Sequence, residues 1–289
     1  MIISGFGRKK ASLSSRQAGK LRQFDSYLNG PTGFIERSLS SNKLALFTAV
    51  DLRDINEQAP VSSWPSRIND YTLAQSSPSA QPVISSSIFT SNERAVYFDS
   101  NDELEIPQGA YDLSSYNKLF VAFKFCTEED PISINGILNY TNEPVADGTG
   151  SLRLYHNTVI DGIYCNVRDN VPDFNLEATA VNDYSTGDYK TFLYKIDYTQ
   201  TTDDEQIECY LEGEYSDSDQ RTYVLNSNSN FGNYALYIGK IISATPSPPL
   251  QYPSMKVYLR SILIAPNFYP TADEVRRIYF ALNEIDREA

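Results

Sequence analysis

Residues Met255–Ile264 read MKVYLRSILI, a run rich in β-branched and aliphatic side chains that predicts a long strand. Two alternating runs precede it, QIECYLE at Gln206–Glu212 and YALYIGK at Tyr234–Lys240, and Gly213 marks a turn after the first. A short amphipathic helix is predicted to follow at Asp273–Glu284. The order strand, turn, strand, strand, terminal helix is typical of the end of a two-layer β-sandwich.

The predicted terminal helix carries its own start signal. Thr271 is placed to cap the first turn, and Glu274 three residues later completes a capping box. An apolar stripe with the spacing i, i+3, i+4, i+7 is formed by Val275, Ile278, Tyr279 and Leu282. This stripe is predicted to pack against the flank of the sandwich.

The most hydrophobic segment, Lys118–Cys126, reads KLFVAFKFC and is predicted to lie in the middle of a sheet. Roughly a dozen short strands separated by turn signals make up the body, and no long helix interrupts them, so a parallel βαβ arrangement is disfavoured. The other predicted strands are Val83–Phe89, Ala95–Phe98, Glu103–Ile106, Ser133–Tyr140, Leu152–His156, Ile160–Val167, Tyr189–Tyr198 and Thr222–Leu225. The sequence therefore predicts an all-β, antiparallel sandwich.

Charge divides the chain into two parts. Residues 1–43 hold eight Lys or Arg and two acidic residues, a net charge of +6, whereas the other 246 residues hold 16 basic and 35 acidic residues, a net charge of −19. We therefore predict an attachment arm at 1–43 and a β-sandwich at 44–289. Within the arm, Lys10–Leu28 fits either a docked helix or a tail without fixed structure. The arm residues expected to make contacts are Arg8, Lys9, Lys10, Arg16, Lys20, Arg22 and Phe24.

Several classes of protein are disfavoured by composition. No run of 18 apolar residues occurs, so no membrane-spanning helix is predicted, and the opening MIISGFGRKK does not predict a secretory signal. The three cysteines, Cys126, Cys165 and Cys209, fall in predicted strands and are expected to be buried thiols in a protein made in a reducing cytoplasm. The acidic body repels nucleic acid and anionic membranes, whereas the basic arm suits an acidic protein surface or nucleic acid.

A series of short landmarks recurs along the body in a fixed order. They are LALFTAVDL at Leu44–Leu52, Trp64 in a loop, Gln81-Pro82, Phe98-Asp99-Ser100, Tyr210–Gly213, Tyr237-Ile238-Gly239 and Tyr269–Tyr279. In this order they resemble the laminin-G-like, or concanavalin-like, jelly-roll domains of bacteriophage virion proteins. The chain departs from that family at Pro65–Tyr71, which replaces a Gly-Asn-rich turn, and at Ser100, which replaces a Gly.

The resemblance implies a domain that binds or scaffolds, and it leaves two hypotheses open. The first is a virion component, assembled in the host cytoplasm, that docks on other virion proteins through residues 1–43 and displays an acidic sandwich; by family habit it forms a homo-oligomer. The second is a lectin-like adhesin that binds host-surface polysaccharide, with or without calcium. Candidate glycan contacts are Trp64, Tyr184, Tyr189 and Tyr234, and the candidate calcium ligands are Asp99 and Asp102.

An enzymatic function is not predicted. Concanavalin-like glycanases need two Glu and one Asp on one strand face, and the single ExDxE match, Glu284-Ile285-Asp286-Arg287-Glu288, continues a predicted helix, where these positions diverge. The only histidine, His156, ends a predicted strand and is expected to lie at the surface or at the strand end. No phosphate-binding loop, HExxH or CxxC motif occurs.

Overall fold

The fold of the chain is taken from a computed structural model. The structure describes residues 30–39, 43–86, 93–99, 101–127, 135–141, 150–157, 162–168, 175–181, 188–216, 218–219, 224–243, 250–252 and 256–285. Within these ranges β-strand is the commonest secondary structure. No helix in them is both long and apolar enough to cross a bilayer.

The described ranges contain nineteen strands and three α-helices. The strands are β1 Ala45–Thr48, β2 Ser63–Pro65, β3 Thr72–Ala74, β4 Val83–Ser86, β5 Arg94–Phe98, β6 Leu104–Ile106, β7 Lys118–Thr127, β8 Asn135–Thr141, β9 Leu152–Asn157, β10 Gly162–Arg168, β11 Asn175–Val181, β12 Lys190–Asp197, β13 Ile207–Leu211, β14 Glu214–Tyr215, β15 Ser218–Asp219, β16 Ala235–Ile238, β17 Ile241–Ser243, β18 Leu250–Tyr252 and β19 Val257–Pro266. The helices are α1 Pro31–Leu39, α2 Asp203–Gln206 and α3 Ala272–Ile285.

Two large antiparallel sheets form the sandwich, and this confirms the predicted fold class. Sheet A has the strand order β14-β13-β12-β7-β19-β5-β4, and β1 also pairs with β19. Sheet B has the order β15-β11-β10-β9-β8-β16-β6-β3-β2. Strand β7 lies between β12 and β19, in the middle of sheet A, as its hydrophobic sequence predicts. About half of the neighbouring pairs join strands that are not consecutive in the sequence, such as β7 with β19 and β8 with β16, which is characteristic of a sandwich rather than a row of hairpins.

The main core lies between the two sheets and is rich in aromatic rings. Phe123 on β7 stacks on Phe125, Phe192 and Tyr194, with ring centroids 5.6, 5.6 and 6.0 Å apart. All four rings are buried. Each such pair adds about 0.5–1.5 kcal/mol beyond the area it buries, so this stack contributes strongly to the stability of sheet A.

A second hydrophobic cluster lies on the outer side of sheet A, beneath α1 and α3. Ile35 and Leu39 of α1 are buried in it together with Val275, Ile278 and Leu282 of α3. The two helices also contact each other. The predicted boundary at residue 43 is therefore wrong for residues 31–39, because the apolar side of α1 completes this cluster. The arm residues from Arg8 to Phe24 lie outside the described ranges, and the attachment role stays a prediction.

Helix α3 begins with the predicted capping box. Thr271 N donates to Glu274 Oε2 at 2.8 Å, and Glu274 N donates to Thr271 Oγ1 at 3.4 Å. The Thr271 hydroxyl also donates to Glu274 Oε2, at 2.9 Å. The backbone hydrogen bond from Thr271 N lowers the pKa of the Glu274 carboxyl, and the bond from the Thr271 hydroxyl does so too. The predicted stripe is confirmed as well, because Val275, Ile278 and Leu282 are buried and Tyr279 is half-buried.

Removal of this cap is expected to weaken the packing of α3. Thr271→Ala removes the oxygen that accepts from Glu274 N, and we expect the free energy of unfolding to fall by about 0.5–2 kcal/mol, as for other N-caps. Thr271→Ser keeps the hydroxyl and serves as the matched control. Urea unfolding followed by far-UV circular dichroism measures both variants. Equal losses for the Ser and Ala variants would show that the hydroxyl does not act as a cap.

Candidate functional site

The candidate site is the face of sheet B that points away from the core. Inward-facing side chains such as Leu138, Leu154 and Cys165 belong to the main core. Because side chains alternate along a strand, their neighbours Asn139, Arg153 and other residues point to the opposite side. This outward face carries polar and aromatic side chains on five neighbouring strands.

One row of this face crosses the strands in direct register. Glu105 on β6 lies opposite Tyr237 on β16, and Tyr237 lies opposite Asn139 on β8. Asn139 is paired with Arg153 on β9, which is paired in turn with Asn166 on β10. Side chains directly opposite each other on antiparallel strands have Cβ atoms about 4.5–5.5 Å apart. We call these five residues, Glu105, Tyr237, Asn139, Arg153 and Asn166, the polar row.

Asn139 and Ser151 on this face have buried side-chain polar atoms that make no hydrogen bond. Asn139 is 0% exposed, and neither its amide nitrogen nor its amide oxygen has a hydrogen-bond partner. The Ser151 hydroxyl, 1% exposed, is in the same situation. A buried polar group without a partner costs about 1–3 kcal/mol, and native proteins contain few of them. The side chains of Asn139 and Ser151 therefore have donors and acceptors that a ligand could use.

A pair of tyrosines lies beside the polar row. Tyr155 on β9 is opposite Tyr164 on β10, and their rings stack with centroids 5.5 Å apart and an interplanar angle of 19°. Tyr164 is buried and Tyr155 is half-buried. Tyr155 and Arg153 are two positions apart on β9, so their side chains share the outward face. An aromatic surface thus borders the hydrogen-bonding groups.

The open end of the polar row is at β6 and β16. Lys240 Nζ lies 2.9 Å from Glu103 Oε2 and 5.1 Å from the centre of the Tyr237 ring. Gln75 Nε2 donates to Glu103 Oε1 at 3.0 Å. Glu105 is half-buried, whereas Tyr237 is buried. Solvent therefore reaches the row at Glu105.

Trp64 lies in the core and not at a ligand-contacting surface. Its side chain is 0% exposed, and its Nε1 donates to the Thr48 carbonyl at 3.0 Å. The ring meets Phe47 edge to face, with centroids 6.0 Å apart. The prediction that Trp64 contacts a glycan is therefore wrong, and Trp64 has a core role. The backbone satisfies the polar end of the indole, and its apolar part fills space between the sheets.

Of the three tyrosines proposed as glycan contacts, the two that the structure describes lie apart from the polar row. Tyr184 lies outside the described residues. Tyr189 is half-buried beside sheet A, with the Arg260 guanidinium 5.2 Å from its ring centre. The Tyr234 ring lies 5.6 Å from that of Tyr140 and packs on the main core, and burial raises its pKa.

The proposed calcium ligands form a turn. Asp102 Oδ2 accepts a hydrogen bond from Asp99 N at 2.7 Å, and Asp102 N donates to the Asp99 carbonyl at 2.9 Å. Burial raises the pKa of Asp102, against the lowering effect of the Asp99 backbone bond. Within the described part of the chain, no group of three or more His, Cys, Asp or Glu side chains is placed to hold a metal ion. A structural role in the turn accounts for this carboxylate.

His156 and the cysteines are buried in the structure. His156 is 1% exposed at the end of β9, so the expected surface position is wrong while the strand-end position is right. Cys126, Cys165 and Cys209 are buried and free of disulfides, as predicted. Of the ExDxE match, Glu284 lies exposed on α3, and Asp286 and Glu288 lie outside the described residues.

A second polar cluster, on the outer side of sheet A, is closed by its own hydrogen bonds. Glu208 Oε2 is 2.8 Å from Lys195 Nζ and accepts from the Tyr210 hydroxyl at 2.6 Å, while its Oε1 accepts from the Tyr269 hydroxyl at 2.6 Å. Lys195 Nζ also lies 4.0 Å from the centre of the Tyr269 ring. Since every one of these groups bonds another, this cluster has a structural role.

Comparison with known proteins gives similarity at the level of structure. No family model and no curated protein matches the chain. A sialidase of Trypanosoma rangeli in complex with sialic acid matches with 12% identity and a TM-score of 0.49, over 85% of this chain and 34% of that one. The botulinum neurotoxin serotype G binding domain matches with 11% identity and a TM-score of 0.49, over 82% and 50%.

A third match is CBM40 of the Ruminococcus gnavus IT-sialidase, with 16% identity and a TM-score of 0.42 over 61% of this chain and 96% of that one. The chain spans about a third of the length of the Trypanosoma sialidase that it matches. All three identities are low and all three TM-scores are below 0.5. These matches therefore bear on neither ligand nor activity.

The signal for the polar row was present in the sequence as alternation. In LRLYHN (β9), Arg153 and Tyr155 alternate with leucines, and in GIYCNVR (β10), Tyr164 and Asn166 alternate with apolar residues. Such alternation predicts one face toward the core and one face away from it. It does not give the strand order, and so it could not place Tyr237 between Glu105 and Asn139.

Proposed function

We propose that this chain is a glycan-binding β-sandwich that uses the outward face of sheet B. The observation that carries the proposal is Asn139, an amide that is 0% exposed, has no hydrogen-bond partner and sits in register between Tyr237 and Arg153. An amide supplies two donors and an acceptor, which is the combination that adjacent sugar hydroxyls need. Such a ligand would satisfy both ends of the side chain at once.

The aromatic residues support the same function. Sugar rings present apolar C–H faces as well as hydroxyl groups, and aromatic side chains provide a flat apolar surface with a polar tip. Tyr237 lies within the polar row, and the stacked Tyr155–Tyr164 pair lies next to it. Binding sites of this kind combine a few fixed polar groups with aromatic surface. Since Asn139 is buried, binding also has to displace the atoms that exclude water from it, and this cost lowers the affinity.

Binding of the full chain to a glycan array, with and without a calcium chelator, tests the proposal. We expect a defined subset of glycans to bind, and Tyr237→Ala to weaken binding about 10-fold, because one aromatic contact is worth about 0.5–1.5 kcal/mol. Thr72→Ala, at an exposed position on β3 that is outside the polar row and two strands from Tyr237, is the matched control and should bind like the unchanged chain.

Two results would contradict this function. An array on which no glycan binds at any protein concentration would show that the chain is not a glycan-binding protein. Equal losses for Tyr237→Ala and Thr72→Ala would show that glycans bind elsewhere on the chain. Loss of binding on chelation would instead assign calcium to the site and reopen the question of its ligands.

Attachment to a virion through the basic arm is a separate proposal, supported by the net charge of +6 on residues 1–43. It is compatible with glycan binding. The described chain begins at residue 30, next to α1, which packs on the outer side of sheet A. The polar row lies on the outward face of the other sheet. Attachment on the side of sheet A thus leaves the outward face of sheet B available for a ligand.

A further inference from the structure

We propose that the glycan carries a carboxylate, and that Arg153 binds this group between Asn139 and Asn166. This inference rests on the proposed function and names the class of ligand for the same site. Its basis is the register of three consecutive strands of sheet B, which places Arg153 on β9 between Asn139 on β8 and Asn166 on β10. All three side chains are at least nine-tenths buried, with exposures of 0, 8 and 4% for Asn139, Arg153 and Asn166.

The chemistry of these three side chains matches a carboxylate. An ionised carboxylate only accepts hydrogen bonds, and a guanidinium presents N–H groups in a fork that fits its two oxygens. The amide of Asn139 has two N–H donors without a partner and an oxygen that can accept from a neighbouring sugar hydroxyl. Arg153 and Asn166 also interact within the protein, so a ligand carboxylate competes with those contacts.

The charges along this row are mixed in sign, and the groups next to Arg153 are neutral. At described positions the outward residues of β8, β9 and β10 include Arg153 and Arg168 but no carboxylate, whereas Glu177 of β11 lies in register with Asn166, two strands from Arg153. Glu105 belongs to the same row, but Tyr237 and Asn139 stand between it and Arg153. At about 4.8 Å per strand, Glu105 lies about 14 Å and Glu177 about 10 Å from Arg153 along the row, so two amides and no carboxylate are its immediate neighbours.

The acidic body makes the salt dependence of binding informative. The net charge of −19 on residues 44–289 repels an anionic glycan at long range, and added salt screens this repulsion. The contact with buried Arg153 is screened much less. Affinity for an acidic glycan is therefore expected to stay constant or rise between about 20 and 150 mM NaCl. Attraction by exposed surface cations would make it fall over the same range.

The experiment uses pairs of array glycans that differ only by the carboxylate, such as those ending in glucuronate or glucose and in galacturonate or galactose, with sulfated versions of the neutral members. We expect the unchanged chain to prefer a carboxylate-bearing member at least about 10-fold, since hydrogen bonds to charged groups contribute about 1.5–3 kcal/mol. Arg153→Lys keeps the charge but loses the fork, and it should lower this preference about 10-fold. Asn139→Ala should weaken binding of the acidic member, and Thr72→Ala should not.

The outcomes separate this inference from the proposed function. Neutral and acidic members that bind equally well, or sulfated members that bind while carboxylated ones do not, overturn the inference and leave glycan binding intact. An array without any binding removes the proposed function and this inference together. Thermal unfolding of each variant shows whether it is folded, and the preference and salt dependence of the unchanged chain need no variant at all.

Discussion

Replacing Trp64 by alanine is expected to lower the free energy of unfolding by about 3–5 kcal/mol, the usual cost of removing a large buried aromatic residue. The indole is completely buried and touches Phe47, so its removal leaves a cavity between the sheets. It also leaves the Thr48 carbonyl without the hydrogen bond from Nε1. Both effects act on β2, a three-residue strand in which Trp64 is the buried residue.

Trp64→Phe is the matched control for this prediction. It keeps most of the apolar volume but loses the N–H donor, so we expect a smaller loss than for alanine. Urea unfolding followed by far-UV circular dichroism compares the variants, since the chain has only one tryptophan and fluorescence is lost in both. Folded Trp64→Phe should bind glycans like the unchanged chain. A stable Trp64→Phe variant that had lost glycan binding would contradict the core role and support a ligand contact.

Replacing Glu208 by alanine is expected to cost a similar amount, about 3–5 kcal/mol, because it leaves a buried cation without its partner. The Lys195 side chain is only 5% exposed, and Glu208 is the carboxylate at 2.8 Å from its Nζ. The hydroxyls of Tyr210 and Tyr269 lose an acceptor at the same time. Chemical unfolding of Glu208→Ala and of the double variant Glu208→Ala/Lys195→Met measures the effect. If the double variant is no more stable than Glu208→Ala, the uncompensated charge is not the cause.

The same carboxylate makes a contribution to stability that depends on pH. Burial raises the pKa of Glu208, but the hydrogen bonds from Lys195, Tyr210 and Tyr269 outweigh it and hold the pKa below the ordinary value of 4.5. A depressed pKa stabilises the folded state above the unfolded value, and this contribution is lost as the pH falls from 4.5 through the folded pKa. Glu208→Gln should therefore show a weaker loss of stability below pH 4.5 than the unchanged chain. Asp70→Asn, at an exposed position, should keep the full loss.

Elements that depend on local patterns could be predicted well. Thr271 and Glu274 cap α3 as their spacing indicates, since a capping box involves only residues within one turn. The alternation of Lys118–Cys126 predicted a central strand, and the structure extends it by one residue, to Thr127. The assignment of residues 31–39 to an external arm failed, because the burial of Ile35 depends on α3, more than 200 residues away in the sequence.

The sequence by itself determined the two-layer architecture, because the alternation of apolar and polar residues shows which face of each strand must be buried. It could not determine the candidate site. Glu105, Tyr237 and Asn139 meet only because β16 inserts between β6 and β8, and strand order is set by the packing of whole sheets. Tertiary structure also moved Trp64 from a polar stretch of sequence into the core, since backbone hydrogen bonding at Thr48 satisfies its one polar group there.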